Sequence, residues 1–342
     1  MNARVLPLVA TTAIFALAYG LCIAQFPAFA TTRVVGDLLT DNAFLGIAAV
    51  GMTFVIIAGG IDLSVGAVIA FTSVLLAVSI GRYGLHPFAA FALAVVVSGA
   101  FGAAMGALIH FFEIPAFIIT LAGMFLARGA SSVITTESVP ISHPLYAELN
   151  EVVVKLPGHG RLTLVAMVML AVFAAAILVA HRTRLGRNIY AVGGNRVSAE
   201  LMGIPVASTT VLVYTISGVC AGIAGIVFSL YTSAGYPLAA VGVELDTIAA
   251  VVIGGTLLTG GSGFVAGTFI GVLIQGVIQT YITFDGTLSS WWTKIVIGGL
   301  LFGFILLQRV LLAVGGGKRA RAVRRDAPPG GAVPLPAGPA RP

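Results

Sequence analysis

The stretch VIIAGGIDLSVGAVIAF, residues 55–71, decides how this chain reads. It is apolar almost throughout, yet the pair Gly59-Gly60 and the carboxylate of Asp62 interrupt it. In a water-soluble domain such a run is a core segment with a polar slip. In a membrane it is a broken span carrying a functional or structural charge, because a carboxylate in hydrocarbon costs at least a few kcal/mol unless it is paired, bonded or wet.

Composition settles which case applies. Of 342 residues, 58% are hydrophobic and 9% charged, and mean hydropathy is +1.07. Soluble domains carry about a quarter charged residues, so a water-soluble globule is excluded. The 43 glycines suit transmembrane helices that approach closely. Cys22 and Cys220 both lie in apolar runs and read as small packing residues, which argues against a disulfide or zinc framework. The net charge of +6 does not indicate nucleic acid, because of where it sits. Arg182, Arg184, Arg187 and Arg196 share one connection, and seven further cations from Arg309 to Arg341 crowd the C-terminus. Asp37, Asp41, Glu137, Glu148, Glu151 and Asp285 lie in other connections. This is a positive-inside distribution, and the basic end could also meet anionic membrane lipid.

Apolar runs at 5–26, 43–58, 64–81, 88–110, 115–134, 162–181, 208–232, 246–260, 264–283 and 292–312 predict an all-α membrane protein of about ten transmembrane helices. The first run exceeds the roughly 7–15 apolar residues of a signal peptide and reads as a retained helix, although PAFA at 27–30 loosely resembles a cleavage site. Several runs are short of about 20 residues, as tilted, broken or partial spans would be. An even count puts both termini on one side, the cytoplasmic one by the charge rule. Residues 135–161 are then outside, with a short helix near 144–154, and 182–207 inside. Residues 1–314 are expected to form one transmembrane domain, and 315–342, basic and rich in Pro, Gly and Ala, a disordered cytoplasmic tail.

A weak internal repeat accompanies the helix break. IIAGGIDLSVGAVIAF (56–71) aligns without gaps to LLTGGSGFVAGTFIGV (257–272), so that Gly59, Gly60 and Gly66 answer Gly260, Gly261 and Gly267. Paired glycine interruptions in two halves are a pointer to a transport pathway. On the ten-span count both copies face the same way. Gly59-Gly60 is expected to end one helix, and Asp62 or Ser64 to cap the next. Such a break could also line a polar path, since unwound backbone survives at membrane depth only beside protein or water. Thr53, Gln275, Gln279 and Tyr281 are further polar groups in apolar runs, expected chiefly to bond across helices, with Thr53 and Gln275 kept as path candidates. Glu244 and Asp246 stand at the mouth of a span, where they would cap it, meet a partner outside or line the path. Trp291 and Trp292 read as interfacial anchors.

Enzymatic motifs are missing. GGGKRA (315–320) lacks the spacing and hydroxyl of a phosphate-binding loop, and GSGFVAG (261–267) opens a membrane span rather than a βαβ unit. The five histidines fit no metal spacing, and no nucleophile–base set converges. No catalytic residue and no metal site is expected. A passive pore, an ion-coupled carrier or a subunit served by a separate ATPase remain.

AGGIDLSVGAVIAF (58–71), RTRLGRNIYAVGGNRVSAELMGI (182–204) and ELDTIAAVVIGGTLLTGGSG (244–263) resemble, in this order, the permease subunits of ribose/galactose-type sugar ABC importers, over about residues 5–312. NAFLGIAAVGMTFVI (42–56), IPAFIITLAGMF (114–125), SAGYPLAAVGVELD (233–246) and TYITFDGTLSSWWTKI (280–295) are similar in particular to one of the two permeases of the galactofuranose importer. The resemblance implies a bacterial inner-membrane subunit with no cofactor of its own. Its expected partners are a sister permease, as a homo- or heterodimer, a cytoplasmic tandem-domain ATPase holding ATP and Mg, and a periplasmic sugar-binding protein. It also implies that 193–204, with Gly193, Gly194, Asn195, Ala199 and Gly203, couples to the ATPase through a short helix near 197–202 whose flanking glycines act as hinges. A monosaccharide would then pass near Gly59, Gly60, Asp62, Ser64, Gly260 and Gly261.

Overall fold

A computed structural model describes residues 6–289 and 291–306. The helices are α1 (Leu6–Gln25), α2 (Thr32–Asp41), α3 (Ala43–Ile57), α4 (Val65–Gly81), α5 (Pro87–Phe111), α6 (Ala116–Ile134) and α7 (Pro144–Glu151). They continue as α8 (Leu164–Arg182), α9 (Arg184–Gly194), α10 (Arg196–Leu201), α11 (Val206–Thr232), α12 (Val243–Ile253), α13 (Val265–Asp285) and α14 (Trp291–Leu306). Two small antiparallel strand pairs qualify the all-α expectation: β1 (Val139–Pro140) with β4 (Ala234–Gly235), and the hairpin β2 (Val153–Lys155) with β3 (Arg161–Thr163). The predicted tail at 315–342 lies outside the described residues.

Among the described residues, six helices, α1, α5, α6, α8, α11 and α13, are long and apolar enough to cross a membrane alone, and α2 with α3, bent by 57°, makes a seventh if the pair is one span. Of the other expected spans, 64–81 is the 17-residue α4, short of a full crossing, and 292–312 is described only to residue 306, as α14. Residues 246–260 are helical only to Ile253, because hydropathy does not register a helix stop followed by glycine, threonine and leucine. The amphipathic α2, which holds Asp37 and Asp41, falls where the hydropathy runs leave a connection.

At the centre lies α3, every residue of which except Phe44 is buried. A helix apolar all round has to be buried in protein or lipid, and here its neighbours α8, α9, α11, α12 and α13 do it. The contacts fix directions. Thr53 bonds Thr268 while Asn42 packs on Gly276, so α13 runs against α3. Gly254, Ala250 and Asp246 meet Gly267, Gly271 and Gln275, so α12 runs against α13 and with α3. Asp62 meets Ser217 and Thr72 meets Gly225, so α4 runs with α11 and opposite to α3. The pairs α3–α4 and α12–α13 therefore go down and up in the same sense. Connections 135–163 and 233–242 gather at one end of the bundle and 183–205 at the other, as the span order requires.

The closest helix pair is α5 with α11. A Cβ on Gly102 would strike the Tyr214 carbonyl, and one on Gly218 would strike the Ser98 carbonyl. Backbone against backbone leaves no side chain that can give way. Gly102→Val should therefore cost roughly 3 kcal/mol, the upper end for overpacking, whereas Gly20→Ala, with nothing within 4 Å, should be silent. Melting of the detergent-solubilised chain checks this, with a drop of more than about 5 °C expected for the first only.

Candidate functional site

The site forms where two helix stops meet. At the end of α3, Gly59 has φ +87°, its N–H donates to the Ile56 carbonyl and the Gly60 N–H donates to the Val55 carbonyl, each at 2.9 Å. This left-handed stop closes the open carbonyls of the last turn. At the end of α12 the same pattern recurs: Gly255 has φ +91°, its N–H donates to Val252, and the Thr256 N–H donates to Val251. The conformational partner of Gly59 is thus Gly255, in VVIGG (251–255). The gapless alignment paired Gly59 with Gly260. It is offset because a second Gly-Gly follows within the same break, in a turn in which the Leu257 N–H donates to the Ser262 carbonyl. Gly260 and Gly261 are left-handed as well, with φ +83° and +71°.

These two breaks touch. The Gly261 N–H donates to the Ile57 carbonyl at 2.8 Å, and a Cβ on Gly260 would lie 2.9 Å from the Gly59 Cα. Gly193, near the end of α9, packs over both: a Cβ there would strike the Ile57 carbonyl and come within 2.7 Å of the Gly261 nitrogen. Gly193 and Gly194 are helical residues, not the hinges expected before α10. Asn195 caps α10, its Oδ1 accepting the Ser198 N–H at 2.8 Å. Gly203, φ +75°, stops α10, with its own N–H on the Glu200 carbonyl and the Ile204 N–H on the Ala199 carbonyl. Ala199 is fully buried against Val192 and Val206. What α10 presents outward instead is Val197, Leu201 and Met202, which are 67%, 85% and 69% exposed. Periodicity along six residues was too short to separate these faces in the sequence.

Asp62 lies in the first break and is 1% exposed. Its Oδ1 accepts the Ser64 N–H at 2.9 Å and the Ser64 hydroxyl at 2.6 Å, while Oδ2 accepts the Ser217 hydroxyl at 2.7 Å near the middle of α11. Ser64 is the cap residue of α4, but its hydroxyl bonds Asp62 and caps nothing. The carboxylate thus pins the break to α11. Thr53 bonds the Ala49 carbonyl and Thr268, and Gln275 donates to the Asp246 carbonyl. Thr53, Asp62, Ser64 and Gln275 are therefore buried and bonded within the chain.

Glu244 and Asp246 part company. Glu244 Oε1 accepts the Gly242 N–H at the start of α12, and its other oxygen packs over Gly66. Asp246 caps nothing: Lys294 of α14 donates to both of its oxygens, at 2.6 and 2.7 Å. Lys294 was missed, although a lone lysine in an apolar run needs an acid, and that requirement was the available signal.

Two cavities flank this framework. One, of about 530 Å³, is walled by Gly59, Gly60, Glu113, Gly193, Arg196 and Tyr214, so α9–α10 and the first break share it. At the other end a cavity of about 520 Å³ is lined by Arg33, Asp37, Asp41, Asn42, Gln279 and Thr283.

Residues 34–305 match the family described as branched-chain amino acid transport system / permease component. The chain belongs to this family of transport permeases: a transport subunit, not an enzyme, of multi-pass membrane type. It is 60% identical over 325 residues, 95% of this chain and 98% of the relative, to the inner membrane ABC transporter permease protein YjfF of Escherichia coli K12. It is 37% identical to the fructose import permease protein FruG of Bifidobacterium longum, over 93% of this chain and 95% of that one. To the ribose import permease protein RbsC of E. coli K12 it is 40% identical, over 79% and 84%. No solved structure matches it.

Removing the Asp62 carboxylate strands three donors. Asp62→Ala should cost about 3 kcal/mol, and Asp62→Asn, which keeps an acceptor, distinctly less. Melting in detergent should rank wild type above Asn above Ala, and equal midpoints would remove the anchoring role.

Proposed function

We propose that the chain is the membrane subunit of an ATP-driven importer that carries a monosaccharide into the cytoplasm by alternating access. Ribose- and fructose-type relatives support a sugar, and the stretches 42–56, 114–125, 233–246 and 280–295 favour galactofuranose within that class. ATP and Mg would be held by a separate tandem-domain ATPase, and a sugar-binding protein would dock at the end carrying α7 and 233–242. A sister permease, identical or homologous, would complete the route. Both termini and the arginine-rich 182–196 would face the cytoplasm, by the charge rule. ABC-transporter relatives speak against the ion-coupled carrier.

The observation that carries this reading is the contact of Gly193 with the Ile57 carbonyl and the Gly261 amide. A push on the exposed apolar face of α10 reaches both helix breaks through backbone alone, with no flexible side chain between. Val197, Leu201 and Met202 supply that face, a compact apolar patch of the kind a groove in a partner protein accepts. Weak solute contacts in the permease suit the task, because the binding protein supplies affinity and a sticky path would slow release.

The test is reconstitution with ATPase, sister permease and binding protein, following uptake of labelled D-galactose, D-ribose and D-fructose. Gly193→Val should lower ATP-driven uptake more than tenfold with the protein still folded, and Gly194→Ala, which meets nothing within 4 Å, should not. Wild-type uptake by Gly193→Val would refute the coupling route. Accumulation of sugar against a gradient by this chain alone would refute the function.

A further inference from the structure

The cavity of about 530 Å³ beside the first break is more than a packing gap. Its size falls in the roughly 300–1,000 Å³ of small-molecule sites. Four elements wall it: the end of α3, the turn between α5 and α6, the first turns of α11, and α9–α10. One wall residue is unfinished. Tyr214 is 3% exposed, and its hydroxyl has no hydrogen-bond partner among the described residues. That hydroxyl lies over Gly60, where a Cβ would strike it. A buried hydroxyl without a partner is costly, and one beside a cavity marks a place for a ligand group. A second wall residue is held in an uncommon shape: Glu113, φ +54°, takes the left-handed backbone that glycine prefers. At the rim the Arg196 guanidinium holds His110 Nδ1 at 2.8 Å.

We propose that this cavity binds the imported sugar on the cytoplasmic side, and that its occupation slows further import. The inference rests on the sugar-import reading and adds regulation by product to it. The lining suits a neutral polyhydroxylated ring. Arg196 donates, Glu113 accepts, Tyr214 can do either, and Ile109 and Val213 offer apolar surface to the C–H face of the ring. Glu113 disfavours an anion, and two charged groups disfavour a lipid chain. A molecule seated here touches the helix break and the α9–α10 pair together, so it binds the arrangement in which these walls stand at this spacing. By mass action it holds that arrangement against the displacement that ATP hydrolysis must drive.

The full importer is reconstituted with ATP and Mg in the lumen, the cytoplasmic side, and binding protein outside. Initial uptake of labelled D-galactose, D-ribose or D-fructose is compared between vesicles empty of sugar and vesicles preloaded with the same unlabelled sugar or with sucrose. The transported sugar should slow uptake at least about threefold, and sucrose should not. Tyr214→Phe and Thr210→Val, the latter at a second hydroxyl on the cavity wall, each compared with its own sugar-free rate, should need at least about fivefold more luminal sugar for the same slowing. Unaltered rates in preloaded wild-type vesicles, or unchanged inhibition in both variants, would overturn the proposal. Failure of sugar-free vesicles to import any of the three would instead refute the import reading. In that case amide exchange of 55–61 and 188–196 in nanodiscs with the full complex decides binding by itself, and absence of slowing with all three sugars overturns the site.

Discussion

The structure depends on one backbone contact, the Gly261 N–H on the Ile57 carbonyl, with Gly193 laid across it. Ending a helix inside a membrane protein leaves carbonyls and amides that lipid cannot satisfy. Here each break closes its own last turn with a left-handed glycine, and the Gly261 N–H of the second satisfies the Ile57 carbonyl of the first. Gly59 and Gly255 are needed for their backbone angle. Gly193 is needed for a different reason, the lack of a Cβ. Its φ is ordinary, and its value lies in proximity, so this glycine-rich end of the bundle is a tight joint between three chain segments.

The same principle extends through the bundle. Association of helices in lipid gains little from burying apolar surface, since the alternative environment is equally apolar, and close van der Waals approach takes over. Gly102 and Gly218 bring α5 and α11 together, and Gly254, Gly267 and Gly271 do so for α12 and α13. Polar pairs add direction where packing alone would permit sliding. Thr53 with Thr268 and Lys294 with Asp246 each tie two helices at a single register, and Asp62 with Ser217 ties the first break to α11.

How much of this was legible follows from which signals are local. Hydropathy runs located the long helices, and Gly59-Gly60 marked a helix end because a stop is written in two or three residues. The helix expected near 144–154 is α7, Pro144–Glu151, and the one that the resemblance implies near 197–202 is α10, Arg196–Leu201. The repeat was legible in kind but not in register: two Gly-Gly pairs, 254–255 and 260–261, competed for one alignment, and only backbone angles separate them. Partnerships over long sequence distance were illegible. Nothing near Asp246 announces Lys294, and nothing near Asp62 announces Ser217. Ala199, offered as a coupling residue, is buried, because a six-residue helix shows too little period to tell its inner face from its outer one.

The placement of the polar groups bears on where solute can travel. Were the route a tube through one chain, its walls would need polar side chains with capacity to spare. Among the described residues, Thr53, Asp62 and Gln275 spend theirs on neighbouring helices, and Ser64 spends its own on Asp62. The two polar cavities lie toward opposite ends of the bundle, and α3, buried on nearly all its surface, stands at the centre with its Thr53 already bonded. Opening a passage there would expose an apolar helix and break the Asp62 and Thr53 bonds. Under the proposed function, that arrangement favours a route formed against a second subunit, with this chain contributing a wall and a lever. A wall can shift by a rigid tilt that leaves the internal bonds intact, whereas a pore through the bundle could not open without breaking them.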